Sequence, residues 1–368
     1  MNKVNYLEQL TWLRGFAAFT VIISHVLRAT ETSYTADDTQ GHNIFLSFLD
    51  LGNFGVVLFF TLSGTTLYLS NSQKIIKEPI FHFYIKRFFR VWPAFFVSLI
   101  LYILFGFFFS YFYIEPTGAW IEEQFLSPYS FKDVFFYALF LFNLTGDSGL
   151  FNNAYWSLPV EFEYYLIFPF LIASLKFGWG TPLFIGAFLY FIPKLGIFPE
   201  YLENLFFLAF SFCGGVAVGF FNKNRGKKFK YSTALASCLL LLLLILASAI
   251  RHHYFNISSI PLLSRSSNSY CLIAIASVYI CLNSKFVFYK PIMSFLTHYG
   301  SISYSLYLYH NLLIGLIVLI LLHFEVNNGD FRLFITLFFT LGSSLYVANA
   351  SYKYIELPFI RLGRNLIT

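Results

Sequence analysis

Charged side chains are scarce in this sequence: Asp, Glu, Lys and Arg make up 11% of its 368 residues, where soluble proteins average about 25%. Hydrophobic residues make up 58%, and 50 Phe and 26 Tyr are among them. No soluble fold of this length buries that much apolar surface, so lipid must be the solvent for most of the chain. Cysteine is equally sparse. Cys213, Cys238, Cys271 and Cys281 all fall inside apolar runs without CxxC spacing, which indicates neither a disulfide framework nor a zinc site. Negative charge is the rarer sign, and the formal balance is +6. The excess Lys and Arg gather in a few short loops, a mark of membrane topology rather than of a surface that tracks nucleic acid. No internal repeat, low-complexity tract or linker is visible, so residues 1–368 read as a single transmembrane domain.

Apolar runs fall near 12–30, 53–70, 91–113, 131–145, 155–175, 180–193, 204–221, 231–250, 269–284, 302–323 and 332–351. Arg14 and His25 inside the first run argue against a cleaved signal peptide and for a retained helix. The basic loops "NSQKIIKEPIFHFYIKRFFR" (71–90) and "NKNRGKKFK" (222–230) belong on the cytoplasmic side. The loops 31–50 and 114–130 carry acidic residues without Lys or Arg and belong outside. An even number of crossings must separate the two basic loops, yet five runs lie between them. One of them does not cross; the best candidate is 131–145, whose uninterrupted apolar part is well short of the ~20 residues that a crossing needs and which reads as a re-entrant or interfacial segment. The expectation is an all-α integral membrane protein with about ten transmembrane helices and both termini cytoplasmic. Arg251 and Arg265, in an outer loop, run against it. The last helix is expected to end near residue 351.

An ionisable group at membrane depth costs a few kcal/mol, on the order of +2.5–3.5 for Arg on insertion scales, and marks function. Five are present: Arg14, His25, Glu161, Glu163 and His310. Arg14 is close enough to the membrane boundary to snorkel. Eleven residues at about 100° each place Arg14 and His25 on one helix face, about 16 Å apart along the axis. Such a face suits one wall of a pathway from the cytoplasmic surface toward the outer half. Glu161, in "YWSLPVEFEYYLIFPF", sits at the outer entry of its helix, and Glu163 two residues on reads as paired or interfacial. Lys86, Arg87 and Arg90 precede the third helix. They serve topology, yet Arg87 and Arg90, three apart, share a face suited to bidentate phosphate binding.

Several tempting motifs fail. "GDSG" at 146–149 resembles the start of an SGNH hydrolase, but that fold needs a strand–turn context and a downstream Asp-x-x-His, and no histidine follows His323. None of the eight histidines has Asp five residues later, so the soluble acyltransferase pattern is absent. "HH" at 252–253 has no third metal ligand placed by the sequence. "FFTLSGTTL" around Ser63 and Gly64 is no nucleophile elbow; its small residues suit close helix packing or a local break.

The remaining motifs resemble the acyltransferase-3 family of integral membrane acyltransferases, almost from end to end. They are Arg14-x10-His25 and "GVVLFFTLSG" from Gly55 to Gly64, then Arg87-x-x-Arg90 followed by Trp92-Pro93. "WSLPVEFEYY" from Trp156 to Tyr165, "SISYSLYLYH" ending at His310 and "YIELPFIR" from Tyr354 to Arg361 complete the set. Tyr164 stands where Phe is usual and Trp92 where an aliphatic residue is common, and the family's optional extra SGNH domain is missing.

The resemblance implies transfer of an acyl group, most often acetyl, from cytoplasmic acetyl-CoA or another acyl-CoA to an acceptor hydroxyl, with no metal. The implied acceptors are surface carbohydrates or glycolipids: lipopolysaccharide O-antigen, peptidoglycan, exopolysaccharide or lipid-linked sugars. It implies a multi-pass protein of the bacterial inner membrane. In this layout Lys86, Arg87 and Arg90, with Arg14 deeper, hold CoA phosphates. His25 acts as general base or as a transient acyl carrier, with Arg14 and Glu161 beside it in the catalytic set. Glu161 orients the imidazole or binds sugar hydroxyls, and Trp156, Tyr165 and His310 contact the sugar. The sequence leaves a homo-oligomer open.

A transporter or flippase for a glycolipid or anionic substrate is the reading from another class. Transporters often carry repeats and paired broken helices, and no repeat is found. The membrane-bound O-acyltransferase type, which also uses a buried histidine, is disfavoured by the Arg-x10-His, Arg-x-x-Arg and Trp-Ser-Leu-x-x-Glu set.

Overall fold

The computed structural model describes residues 6–30, 51–112, 119–144, 149–195, 203–225, 266–284, 290–326 and 328–367, together with 235, 238, 239, 242 and 243. Among the described residues every regular element is helical. The helices are α1 (Tyr6–Ala29), α2 (Gly52–Lys77), α3 (Ile80–Tyr111) and the short α4 (Phe131–Ala138). They continue with α5 (Ser157–Ser174), α6 (Gly180–Phe191), α7 (Glu203–Arg225) and α8 (Ser266–Asn283). The last four are α9 (Lys290–Ser301), α10 (Ser303–His323), α11 (Gly329–Ser351) and α12 (Leu357–Asn365).

Seven helical stretches among the described residues are long and apolar enough to cross a bilayer. They are Glu8–Ala29, Gly52–Lys77, Ile80–Tyr111, Asn153–Phe177, Leu205–Lys223, Ser303–His323 and Gly329–Asn365, and two shorter apolar helices, Gly180–Phe191 and Tyr270–Asn283, accompany them. The chain is an all-α, multi-pass membrane protein. The run 231–250 lies largely outside the described residues, and the loop with Arg251, Arg265 and the "HH" pair lies wholly outside them.

The run 131–145 holds a helix of only 8 residues, about 12 Å long at 1.5 Å per residue and too short to span. Ser130 and Asp133 close its start as a reciprocal capping box. Those same hydrogen bonds from Ser130 hold the Asp133 carboxyl below its ordinary range. The helix ends where Phe140 takes φ 58°.

Two boundaries differ from expectation. The basic residues expected in a loop before the third helix are inside it, because α3 starts at Ile80, directly after the N-capping Pro79. Nothing between Ile80 and Arg90 breaks a helix, and a proline just ahead of the first turn has no N–H to leave unsatisfied there. At the other end the helix does not stop near 351. A π-turn over Tyr352–Glu356 joins α11 to α12 and carries the helix to Asn365. Burial of Glu356, with Ser305 donating to its carboxylate, secures that continuation.

The chain reads as one domain in sequence, and its residues cluster in two compact units interleaved along it. One unit comprises Met1–Val21, Thr39–Glu78 and Ile167–Ser301. Its framework is the crossing of α2 and α7, where a Cβ on Gly64 would strike the Phe212 carbonyl and one on Gly215 the Thr61 carbonyl. Thr65 Oγ1 donates to the Gly215 carbonyl at 2.9 Å. This is small-residue packing of the kind membrane helices use. In the same unit Gly15 of α1 lies against the Leu296 backbone and Gly300 of α9 against that of Thr11.

The other unit comprises Ile22–Asp38, Pro79–Leu166 and Ile302–Thr368. Its core is aromatic. Phe95 stacks on Phe140 at 4.4 Å, Tyr137 on Phe142 at 3.9 Å, and Phe109 on Phe125 at 4.0 Å between centroids. The Trp92 indole donates to the Ala138 carbonyl at 2.7 Å, which fixes the end of α4 against α3. All the histidine, tyrosine and arginine contacts described next lie within this second unit.

Candidate functional site

His25 lies in the last turns of α1, half-buried, and its Nδ1 is buried with no hydrogen-bond partner among the described residues. Its neighbour is His310 of α10: the two ring centroids are 5.1 Å apart and the planes meet at 61°. Trp120, from the turn Ala119–Ile121, brings its ring to 6.4 Å from His25. The Trp120 indole N–H is also buried and without a partner among the described residues.

His310 is fully buried. Its Nδ1 lies 3.0 Å from the Leu306 carbonyl and 3.0 Å from that of Tyr307, on the preceding turn of its own helix. Carbonyl oxygens only accept, so the proton belongs on Nδ1 and the lone pair on Nε2. Nε2 is buried and unpartnered among the described residues.

A lattice of polar contacts holds this turn of α10 to the segment before α5. Asn311 Nδ2 donates to Asn152 Oδ1 at 2.8 Å and to Asn153 Oδ1 at 3.0 Å. Asn152 Nδ2 donates to the Leu308 carbonyl at 3.3 Å. The Tyr307 hydroxyl donates to the Ala154 carbonyl and lies 2.7 Å from Ser157 Oγ. Buried hydrogen bonds of this density fix geometry, because each broken one strands a polar group in an apolar medium. Trp156 sits half-buried in the same turn.

Arg87, on α3, forms a second cluster with α5. Its guanidinium lies 5.8 Å from the centre of the Tyr165 ring and 5.7 Å from that of Phe83. The Tyr165 hydroxyl donates to Glu161, and the charges of Glu161 and Arg90 both act on Arg87. Arg90 is exposed, Lys86 is half-buried, and Arg87 Nε is buried without a partner among the described residues. The charge of Arg90 also acts on Glu356.

The structure therefore joins His25 to His310 and Arg87 to Tyr165 and Glu161. Glu161, expected to orient His25, is engaged by Tyr165 one turn away. Glu163 accepts from Asn143 Nδ2 at 2.6 Å, the paired state its sequence context implied. Arg14 is half-buried earlier on α1, in the portion that clusters with the first unit. Sequence reasoning missed Trp120 and Glu356. A lone Trp in an acidic loop reads as an interfacial anchor, whereas the Glu in "YIELPFIR" was a usable signal. Among the described residues no group of three or more His, Cys, Asp or Glu gathers as for a metal ion.

The first cluster can accept a proton at an unpartnered imidazole nitrogen and donate one N–H from Trp120. The second can hold an anion. A profile of an acyltransferase domain, that of acyltransferase-3, matches residues 7–348. Over 171 residues, 45% of this chain and 39% of the relative, the sequence is 32% identical to the acyltransferase MdmB of Streptomyces mycarofaciens. Over 184 residues, 48% of this chain and 49% of the relative, it is 28% identical to an O-acetyl transferase of Shigella phage Sf6. The matches thus span about half or less of the length of these curated relatives. No solved structure matches. With a profile match running from α1 into α11, the chain belongs to the acyltransferase-3 family.

Proposed function

We propose that this chain transfers an acyl group, most simply acetyl, from acyl-CoA to a hydroxyl of a carbohydrate or glycolipid in the bacterial cytoplasmic membrane. The observation that carries this reading is the half-buried His25 imidazole, beside His310 and the unpartnered Trp120 indole, in a chain of an acyltransferase family. The phage relative named an O-acetyl transferase supports acetyl and a hydroxyl acceptor.

In this reading His25 takes the proton of the acceptor hydroxyl as the oxygen attacks the thioester carbonyl. Trp120 Nε1 donates to the carbonyl oxygen as charge develops there. Collapse expels the CoA thiolate, and the proton held on the enzyme returns to sulfur. Arg87 and Arg90, with Lys86 beside them, bind the phosphates of CoA on the cytoplasmic side. Tyr165 and Glu161 hold the Arg87 guanidinium in place, so their part is in the donor site. Trp156 offers its half-buried ring to the sugar. Both units serve this one activity, since the profile match runs through both.

Purified protein in nanodiscs, given labelled acetyl-CoA and an envelope glycan fraction, should release CoA and label the glycan. Surface glycans from cells with and without the gene should differ by one acetyl on a defined sugar. The His25→Ala protein, at equal abundance, should do neither. Undiminished transfer by that variant would overturn the mechanism. A wild-type protein that moves glycolipid across the bilayer without releasing CoA would replace the enzyme by a transporter.

A further inference from the structure

The least explained group in the second unit is His310 Nε2. A histidine kept only for packing satisfies both nitrogens, because an unpaired polar atom in an apolar interior costs about 1–3 kcal/mol. His310 satisfies one. Its Nδ1–H is committed to the Leu306 and Tyr307 carbonyls, while Nε2 is buried and open. Beside it stands the one other imidazole of the cluster, and that ring too has a buried, open nitrogen, Nδ1. The two nitrogens do not bond each other directly, but rings whose centroids are 5.1 Å apart leave them within the span of one bridging water.

We propose that His310 is the proton acceptor behind His25, so that the two imidazoles act as a relay rather than as a base and a sugar contact. This rests on the acyl-transfer reading above. His25 starts with its proton on Nδ1 and presents Nε2 to the acceptor hydroxyl. As the acceptor oxygen bonds to the thioester carbon, its proton moves to His25 Nε2 and the bridging water passes the Nδ1 proton on to His310 Nε2. His310 then carries the positive charge, with its Nδ1–H still donated to two carbonyl oxygens whose dipoles favour that cation. When the carbon–sulfur bond breaks, both protons step back and the thiolate leaves as CoA thiol. The hydroxyl has become an ester, the thioester a thiol, and both histidines have regained their starting forms.

The lattice of Asn311, Asn152, Asn153, Tyr307 and Ser157 gives the relay its rigidity. It clamps the backbone on both sides of His310, and with the bonds from Nδ1 to the Leu306 and Tyr307 carbonyls it fixes the ring beside His25. His310 is then a positioning and proton-holding residue, and need not touch substrate.

The test is single-turnover acyl transfer by nanodisc-embedded protein in mixtures of light and heavy water. Two protons moving together give the wild type a curved dependence of rate on deuterium fraction. His310→Gln keeps a side-chain acceptor near the Nε2 position but cannot take a proton. It should lose roughly 10²-fold in rate, with KM for acyl-CoA and acceptor little changed and a straight-line isotope dependence. A straight line for the wild type overturns the relay, as does a His310→Gln protein that keeps the wild-type rate or curvature. The wild-type measurement stands alone if the variant does not fold. A wild type that releases no CoA in the presence of acceptor defeats the acyl-transfer reading instead, and the two failures are distinct.

Discussion

The Tyr165 hydroxyl donates to the Glu161 carboxylate one turn before it on α5, and the Arg87 guanidinium lies over the Tyr165 ring at 5.8 Å. A long cationic side chain in a membrane protein is thereby given a ring to lie against and a negative charge to face. If Arg87 reads CoA phosphate, Arg87→Ala should raise KM for acyl-CoA by about 10–100-fold, the worth of one charge-assisted contact. Arg87→Lys should recover only part of this, because an ammonium cannot make the planar two-pronged contact. Acyl-CoA lacking the 3′-phosphate distinguishes which phosphate is read. Arg87→Ala with an unchanged KM would move the donor site elsewhere.

Trp120 offers a second, separable test. Its ring packs 6.4 Å from His25 and 6.5 Å from Phe125, so Trp120→Phe retains most of the packing and deletes one N–H. Removing a donor to a developing oxyanion costs about 10²–10³ in kcat, and a single indole N–H should fall at the lower end. The expected outcome is a kcat lower by roughly 10²-fold with thermal stability close to wild type. A variant that loses stability and leaves kcat intact would show that Trp120 is only part of the core.

What the sequence revealed, and what it concealed, divides along sequence distance. His25 is legible because an imidazole in an apolar run is costly wherever it points, and Arg87 and Arg90 because three-residue spacing sets a helix face. His310 is legible as costly but not as the neighbour of His25, since 285 positions separate them and no local periodicity encodes that contact. For Glu161 the signal is local instead. Tyr165, four residues on, is reached within one helical turn, and that local contact engages the carboxylate. The start of α3 and the C-terminal end of the last helix differ from the sequence expectation because basic residues resemble loop. On a helix end such residues reach the interface by snorkelling, so the helix does not need to stop for them.

Glu356 supplies a prediction about stability. Its carboxylate is buried and accepts from Ser305, whose hydroxyl also lies 2.9 Å from Ser351. Ser305→Ala would leave that carboxylate short of a donor in an apolar setting, at a cost of about 1–3 kcal/mol. The melting temperature in detergent should fall by several degrees. Glu356→Gln should cost less than Ser305→Ala, because the neutral amide still accepts from Ser305 and removes the buried charge. Equal losses for the two would point to packing alone.

The crossing of α2 and α7 can be tested at Gly64 and Gly215. Each faces the other helix so closely that a methyl group would occupy the position of a backbone carbonyl, Phe212 for Gly64 and Thr61 for Gly215. A side-chain end can swing aside, but a helix carbonyl moves only with its helix, so the two segments must separate. In a bilayer there is no hydrophobic drive to hold separated helices together, because lipid tails solvate them as well as each other. Separation also breaks the hydrogen bond from Thr65 to the Gly215 carbonyl. Gly215→Val should therefore abolish monodisperse protein in size-exclusion chromatography, whereas Gly149→Val, where a Cβ meets nothing within 4 Å, should leave the elution profile unchanged. A folded, active Gly215→Val protein would mean that the two helices do not pack in backbone contact.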